Sequence, residues 1–293
     1  MSKLKVAMVG CGGICNFHIS HLEKFDDVEF VGFMDIRPER AAEKAKRVGE
    51  GKVYKRGIPF LVEKPMALDM ELAYSINEAV QKAGLVTAVG FQDRYLDIID
   101  KTRELLEGRT VGLVHGAWLG GIPGVDWWPK YETSGGQIVE QNIHLFDMLR
   151  YLFGEPEKVY CTGARGIVER EDYDLHDYSS AVITFENNVI GTLFTGCYLD
   201  RHVPNKNGLH IRCVDADIKY ILRQSVEIDT GNKTEIFRNE KDQGVTEDRT
   251  FLDAVKTDDP SLVKSPYADA CKSLALTLAC NESINTGKEI RLN

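Results

Sequence analysis

The chain has 293 residues, 43% of them hydrophobic, and a formal net charge of −9. That length and apolar content suffice for two cores and so predict two domains, and the acidic balance sets nucleic acid aside because no basic stripe is available to displace phosphate counterions. No run approaches the ~20 apolar residues of a membrane span, and residues 6–9 are too few for the apolar region of a signal peptide. The seven cysteines are scattered without a Cys-x-x-Cys pair. They suggest neither a disulfide framework nor a zinc site, so no metal is expected and a reducing cytoplasm is the predicted setting.

In chain order, Leu4 to Val9 reads as a buried strand. Gly10-Cys11-Gly12-Gly13-Ile14-Cys15 then opens a helix running to about Lys24. In this G-x-G-x-x-G-like turn Gly10 permits the tight bend and Gly12 lets the backbone approach a pyrophosphate. The helix N-terminus, with Gly13 and Ile14, supplies free N–H groups and a positive dipole end. The third position is Cys15, small enough to keep helix and strand close. A second strand, Glu29 to Met34, ends at Asp35, where a carboxylate would hold a ribose diol. Strand, turn, helix, strand and acid together predict a dinucleotide site. Asp35 would repel a 2′-phosphate and so favours NAD, whereas Arg37 and Arg40 leave room for NADP.

Pro38 to Val48 reads as a helix with proline at its first position. Between Val53-Tyr54 and the next strand, Pro59-Phe60-Leu61-Val62, only four residues remain, too few for the crossover that a parallel sheet needs. Either the Rossmann half is trimmed here or a unit of roughly 30 residues is missing from the chain. The strand ends in Glu63-Lys64-Pro65, which places Lys64 at the carboxyl end of a buried strand, where open α/β sheets bind ligands. The alternative is a solvated lysine after a strand. Asp69 caps a helix over Met70 to Ala83, Gly84 ends it, and Leu85 to Gly90 is one more apolar strand. The domain boundary falls near this point, giving a dinucleotide-binding domain over 1–90 and a second domain over 91–293.

Arg94 and Tyr95 precede a helix over Leu96 to Leu106, and Val111 to Leu119 begins a set of strands with one polar face. Gly120 to Glu132 is a loop whose paired Trp127 and Trp128 either seal a core edge or wall a pocket. From Ser134 to Asp147 the spacing is helical, with Gly154 as the later stop. Glu140, His144 and Asp147, at i, i+4 and i+7, are predicted to share a face. A histidine flanked by acids can titrate near neutrality as a general base requires. The plainer alternative is a surface helix with a charged stripe. Strands follow over Lys158–Val168, Tyr178–Glu186, Val189–Leu199, Leu209–Val214, Ile218–Arg223 and Lys233–Arg238, with turns at Asn187-Asn188, Asp215-Ala216 and Gly231-Asn232. The sheet should be largely antiparallel, one face on helices and the other available to a second subunit, so a homo-oligomer is expected. Asp253–Lys256 and Tyr267–Thr286 read as helices, His176, His202 and His210 as ordinary histidines, and Glu169–Asp174 as a solvated loop.

Taken together, Gly10-x-Gly12-Gly13 with an acid after the second strand, Glu63-Lys64-Pro65, and Gly135-Gly136 leading to Glu140-x-x-x-His144-x-x-Asp147 resemble the Gfo/Idh/MocA oxidoreductases, a family that includes glucose–fructose oxidoreductase and inositol dehydrogenases. The resemblance implies an α/β fold with an N-terminal Rossmann domain and a C-terminal α+β domain bearing an open, largely antiparallel sheet. It also implies hydride transfer between a sugar or polyol carbon and NAD or NADP. Lys64 and His144 would then flank the substrate hydroxyl, with Glu140 orienting Lys64 or His144 and Asp147 fixing the imidazole or binding substrate. Glu63 and Lys64 would join Gly10, Gly12, Gly13, Ile14, Asp35 and Arg37 on the cofactor side. Arg94, Trp127, Asn142 and Asp147 would line the substrate with Lys64 and His144. Two departures stand out: Glu140 replaces the family's usual Asp, and the strand and loop that normally precede Glu-Lys-Pro are the part missing near 54–59. A non-catalytic NAD(P) sensor and a redox-neutral enzyme with retained NAD are the alternative readings.

Overall fold

The computed structural model describes residues 3–48, 58–200, 202–204 and 206–292. The short connection singled out above falls mainly on residues 49–57 and lies outside them.

Two parallel strand pairs carry the N-terminal part. β1 (Leu4–Val9) and β2 (Val28–Met34) pair across α1 (Gly13–Leu22), and α2 (Pro38–Val48) follows. β3 (Phe60–Val62) and β4 (Thr87–Val89) pair across α3 (Met70–Ala83). Asp69 caps α3 by accepting the Leu72 N–H with its carboxylate, and Gly84, which lacks a Cβ, ends it in the left-handed conformation. Among the described residues the two pairs form separate sheets.

α4 (Asp97–Leu106) leads into β5 (Val111–Leu119), which is followed by the short α5 (Tyr131–Ser134) and α6 (Gln137–Glu140) and by α7 (Ile143–Phe153). The strands β6 (Pro156–Ala164), β7 (Tyr178–Phe185), β8 (Ile190–Gly196), β9 (Gly208–Cys213), β10 (Asp217–Ile221), β11 (Ser225–Asp229) and β12 (Thr234–Arg238) come next, then α8 (Gln243–Thr257), α9 (Tyr267–Thr286) and β13 (Ile290–Arg291). The sheet they build runs β12-β11-β10-β9-β5-β8-β7-β6-β13 and is antiparallel except where β5 meets β8. Along β7, Ser179, Ala181, Ile183 and Phe185 are buried while Tyr178 and Val182 are exposed, the two-residue period of a sheet covered on one face. The covered face packs on Leu145, Phe146 and Leu149 of α7 and on Leu276 and Cys280 of α9. No helix among the described residues is long and apolar enough to cross a membrane.

Three expectations are corrected. β11 adds a strand where none was expected. The helix expected over Asp253–Lys256 begins at Gln243, because Asp242 accepts the N–H groups of Gly244 and Val245, and it buries Glu247 and Asp248, which by residue type belong in solvent. The helix expected to carry Glu140, His144 and Asp147 on one face is broken. The N–H groups of Gln141 and Asn142 both converge on the Gln137 carbonyl, and α7 restarts in a new phase at Ile143.

β5 lies against β9 at Gly116, where a Cβ would run into the Gly208 carbonyl oxygen and the Leu209 side chain. Backbone cannot rotate away, so Gly116→Ala should lower the unfolding free energy by about 1–3 kcal/mol, seen as a lower urea midpoint at constant m-value. Gly112→Ala, where a Cβ would meet nothing, is the control and should leave the midpoint in place.

Candidate active site

Just before the amino-terminal end of α1, Gly10 has φ +83°, a conformation that glycine adopts with little strain and other residues do not. Ideal Cβ atoms on Gly12 and Gly13 would meet nothing within 4 Å, so the space in front of them is open. The helix has no side-chain cap and no acid in its first turn. Its first amides and positive dipole end therefore face that space uncompensated, which suits a diphosphate. Asp35 reaches over from β2. Its Oδ2 accepts the Cys11 N–H at 2.6 Å and its Oδ1 the Arg37 N–H at 2.8 Å. These two bonds, that from Arg37 first, hold the carboxyl below the usual range, so it is ionised. An ionised carboxylate has about four lone-pair sites, so acceptor capacity remains for a ribose diol. Ile14 and Arg37 are exposed beside it.

Lys64 follows β3 and is joined to Pro65 by a cis peptide bond. Its Nζ donates to the Glu140 carbonyl oxygen at 2.6 Å and to Glu140 Oε1 at 2.8 Å. An ammonium carries three donors, so one remains. The second oxygen of Glu140 accepts Trp128 Nε1–H at 2.7 Å. The tryptophan pair thus divides: Trp128 is fully buried and seals this carboxylate, while Trp127 is 47% exposed. His144, at the start of α7, is buried between Phe91, edge-on at 6.2 Å, and Trp118, stacked at 5.9 Å. Burial first, then the positive charges of Lys64 and Arg223, drive its pKa well below the ordinary histidine value, so it is neutral at pH 7. Its Nδ1 is buried without a partner, as are both amide atoms of neighbouring Asn142.

Arg94 and Asp147 are placed elsewhere than expected. Asp147 accepts Arg94 Nε and Nη2 at 2.8 and 2.6 Å and takes the Ser273 hydroxyl as well. Arg94 also pairs with Asp269 at 2.7 Å. Both side chains are buried and spent on joining the segment after β4 to α7 and α9, because a guanidinium and a carboxylate removed from water must satisfy each other. Asp147 therefore does not fix the imidazole. Glu63, expected on the cofactor side, is held by His18 Nε2 at 3.1 Å. His210, read as an ordinary histidine, meets Asp217 at 2.6 Å. Trp118 and Arg223 escape sequence reasoning altogether. Arg223 lies in the β10–β11 turn with φ +59°, pairs with Asp93 at 2.6 Å, and its guanidinium lies 5.7 Å from the Trp118 ring centre. Only the fold brings that hairpin to His144.

Residues 101–217 match the GFO/IDH/MocA C-terminal domain. The chain is 23% identical to the myo-inositol 2-dehydrogenase of Thermotoga maritima over 335 positions that cover 99% of this chain and 98% of the relative. Among solved structures it is similar to the WlbA dehydrogenase of Bordetella pertussis in complex with NADH and UDP-GlcNAcA, with a TM-score of 0.82, 19% identity and 99% of each chain covered. An oxidoreductase of Agrobacterium radiobacter in complex with NAD+, L-tartaric acid and magnesium matches with a TM-score of 0.82 at 14% identity, over 99% of this chain and 98% of that one. The domain match, the full-length relative and the shared fold all point to the Gfo/Idh/MocA oxidoreductases as the family this chain is similar to.

Proposed function

We propose that the protein is an NAD(P)-dependent dehydrogenase acting on a hydroxyl of a sugar or polyol, with residues 1–90 binding the dinucleotide and 91–293 the substrate. The observation that carries this reading is the Lys64 ammonium, fixed by Glu140 with one donor to spare, beside a buried neutral His144. The relatives named as inositol dehydrogenases and the neighbours solved with NAD or NADH support it. Gly10, Gly12, Gly13 and Ile14 would hold the diphosphate and Asp35 the adenosine ribose, and the bound nicotinamide supplies the hydride acceptor. His144 takes the hydroxyl proton at Nε2 while Lys64 donates its remaining N–H to the developing alkoxide. Glu140 keeps Lys64 in place, and the wall of Trp118 and Trp128 excludes water from the charge that forms. Asn142, with its buried amide unpartnered, is positioned to hydrogen-bond a second substrate hydroxyl. The uncovered sheet face, with Tyr160, Tyr178, Val182 and Phe194 exposed, suits pairing with a second copy.

One observation favours a second reading, a dinucleotide sensor. β1 and β3 lie in separate sheets among the described residues, and the nicotinamide half of a Rossmann site spans that junction. Tight NAD binding with no turnover on any polyol would select the sensor.

Replacing Lys64 by Ala should lower kcat on a polyol about 10²–10³-fold, the scale of losing one donor to a developing oxyanion, with NAD affinity by titration nearly unchanged. If affinity and turnover fall together, Lys64 is structural. Wild-type protein should bind NAD more tightly than NADP, because the ionised Asp35 repels a 2′-phosphate. Asp35→Ser should weaken NAD about tenfold, or roughly 1.4 kcal/mol, and narrow the gap to NADP. His144 works as a base only when neutral, so the oxidation rate should fall as pH drops through its depressed pKa, with the acid limb below the histidine value of about 6.5. The same sign holds for folding: stability from the buried neutral ring is complete above that value and is lost as pH falls. Arg223→Leu removes one of the two cations facing the ring and should move the acid limb of kcat upward, with burial still holding it below its solution position.

A further inference from the structure

An imidazole that no catalytic step uses joins three elements behind the Lys64 loop. His18, on α1 one turn beyond Cys15, is buried with Nδ1 2.8 Å from Asp248 Oδ1 on α8 and Nε2 3.1 Å from Glu63 Oε1 at the end of β3. Both ring nitrogens face carboxylates, and only the protonated ring can donate to both. Burial by itself would lower its pKa, but the hydrogen bonds to Asp248 and then Glu63 outweigh it and raise it to about 10. The carboxylates are held in turn. Asp248 Oδ2 accepts His21 Nδ1 at 3.1 Å. Glu63 Oε2 accepts the backbone N–H of Lys64 at 3.2 Å. On its far side Glu63 is walled by Gly90, where even a Cβ would come within 3.0 Å of the carboxyl atoms. α8 is pressed equally close, since a Cβ on Gly244 would collide with Phe17 and His21.

Among the described residues β1 and β3 are in separate sheets, and this cluster joins the helix after the glycine turn to the end of β3 through side chains. We propose that His18 is a positioning residue whose imidazolium clamps α1 to Glu63 with Asp248 as the brace, and so fixes the spacing between the dinucleotide-binding turn and Lys64. Its consequence for turnover rests on the dehydrogenase reading; the clamp itself does not.

The test uses the full chain with His18→Gln, which removes the charge and one of the two donors, and His21→Gln, which loosens Asp248 but leaves the Glu63 contact in place. Hydrogen exchange over residues 60–66 is measured in both, together with NAD affinity, kcat, and the primary deuterium isotope effect on a carbon-deuterated polyol. For His18→Gln, exchange over 60–66 should rise at least tenfold and kcat should fall about tenfold. Its isotope effect should grow as hydride transfer becomes limiting, with the Kd for NAD changed less than threefold. His21→Gln should lower the melting temperature while leaving the isotope effect unchanged. A lower melting temperature in His18→Gln with kcat, isotope effect and exchange over 60–66 all unchanged would reduce His18 to packing and overturn the proposal. If His18→Gln does not fold, Asp248→Asn withdraws the stronger partner of the same ring and is held to the same outcomes. If wild-type protein turns over no polyol, the dehydrogenase reading falls, yet unchanged exchange over 60–66 in His18→Gln still refutes the clamp by itself.

Discussion

A lysine drawn out of water must be paired, and much of the site follows from how Lys64 meets that demand. Its side chain is 14% exposed, and its ammonium donates to both the carbonyl and the carboxylate of Glu140, 76 residues away. The contact ties the end of β3 to α6. It also explains the use of glutamate at this position: the longer side chain turns one oxygen to Lys64 and the other to Trp128. With Glu140 committed in this way, the chain breaks phase at Gln141 and Asn142, and α7 brings His144 within reach of the Lys64 charge from a separate start. His144 and Glu140 are thus held by different elements, and the imidazole is left among aromatic rings instead of carboxylates. That surrounding keeps it neutral.

The C-terminal helices complete the N-terminal part. α9 packs on α3 and β4 with one side and on β6 with the other. The residues before it finish the edge of β4, where Ser265 accepts the Val89 N–H and returns its hydroxyl to the Val89 carbonyl, so that a strand edge is covered instead of exposed. α8 does the same for α1 through Asp248. A short parallel pair such as β3 and β4 has little stability alone. Here Met66, Val89 and Phe91 share a core with Ile143 of α7 and Tyr267 and Leu274 of α9. The Lys64 loop is therefore supported from the second half of the chain, which suits a site built of residues from both.

Local signals carried well where the physics is local. The glycine turn, Asp35, the Asp69 cap, the Gly84 stop and the alternation in β7 each follow from side-chain chemistry acting over a few residues. Reading failed where a partner far away in sequence changed the meaning of a residue. Arg94 and Asp147 look like site residues until each is found to neutralise the other. Glu247 and Asp248 drew no reading at all, because only the tertiary structure buries them and places His18 and His21 against Asp248. Glu247, left unpaired beside them, is pushed well above the carboxylate range by burial and then by the charges of Glu63 and Asp248.

The sequence by itself determined that a strand, a glycine turn and a helix with free first amides would follow one another, that an acid would end the second strand, and that a lysine would emerge from a strand's carboxyl end. Backbone conformation and hydrogen bonding within some thirty residues dictate those features. Tertiary structure alone decided which tryptophan seals the site, which acid holds the lysine, why the histidine is neutral, and which imidazole braces the Glu63 loop. Those outcomes depend on desolvation and on charges brought together across as many as 230 residues, and burial is a property of the packed molecule that no local stretch of chain possesses.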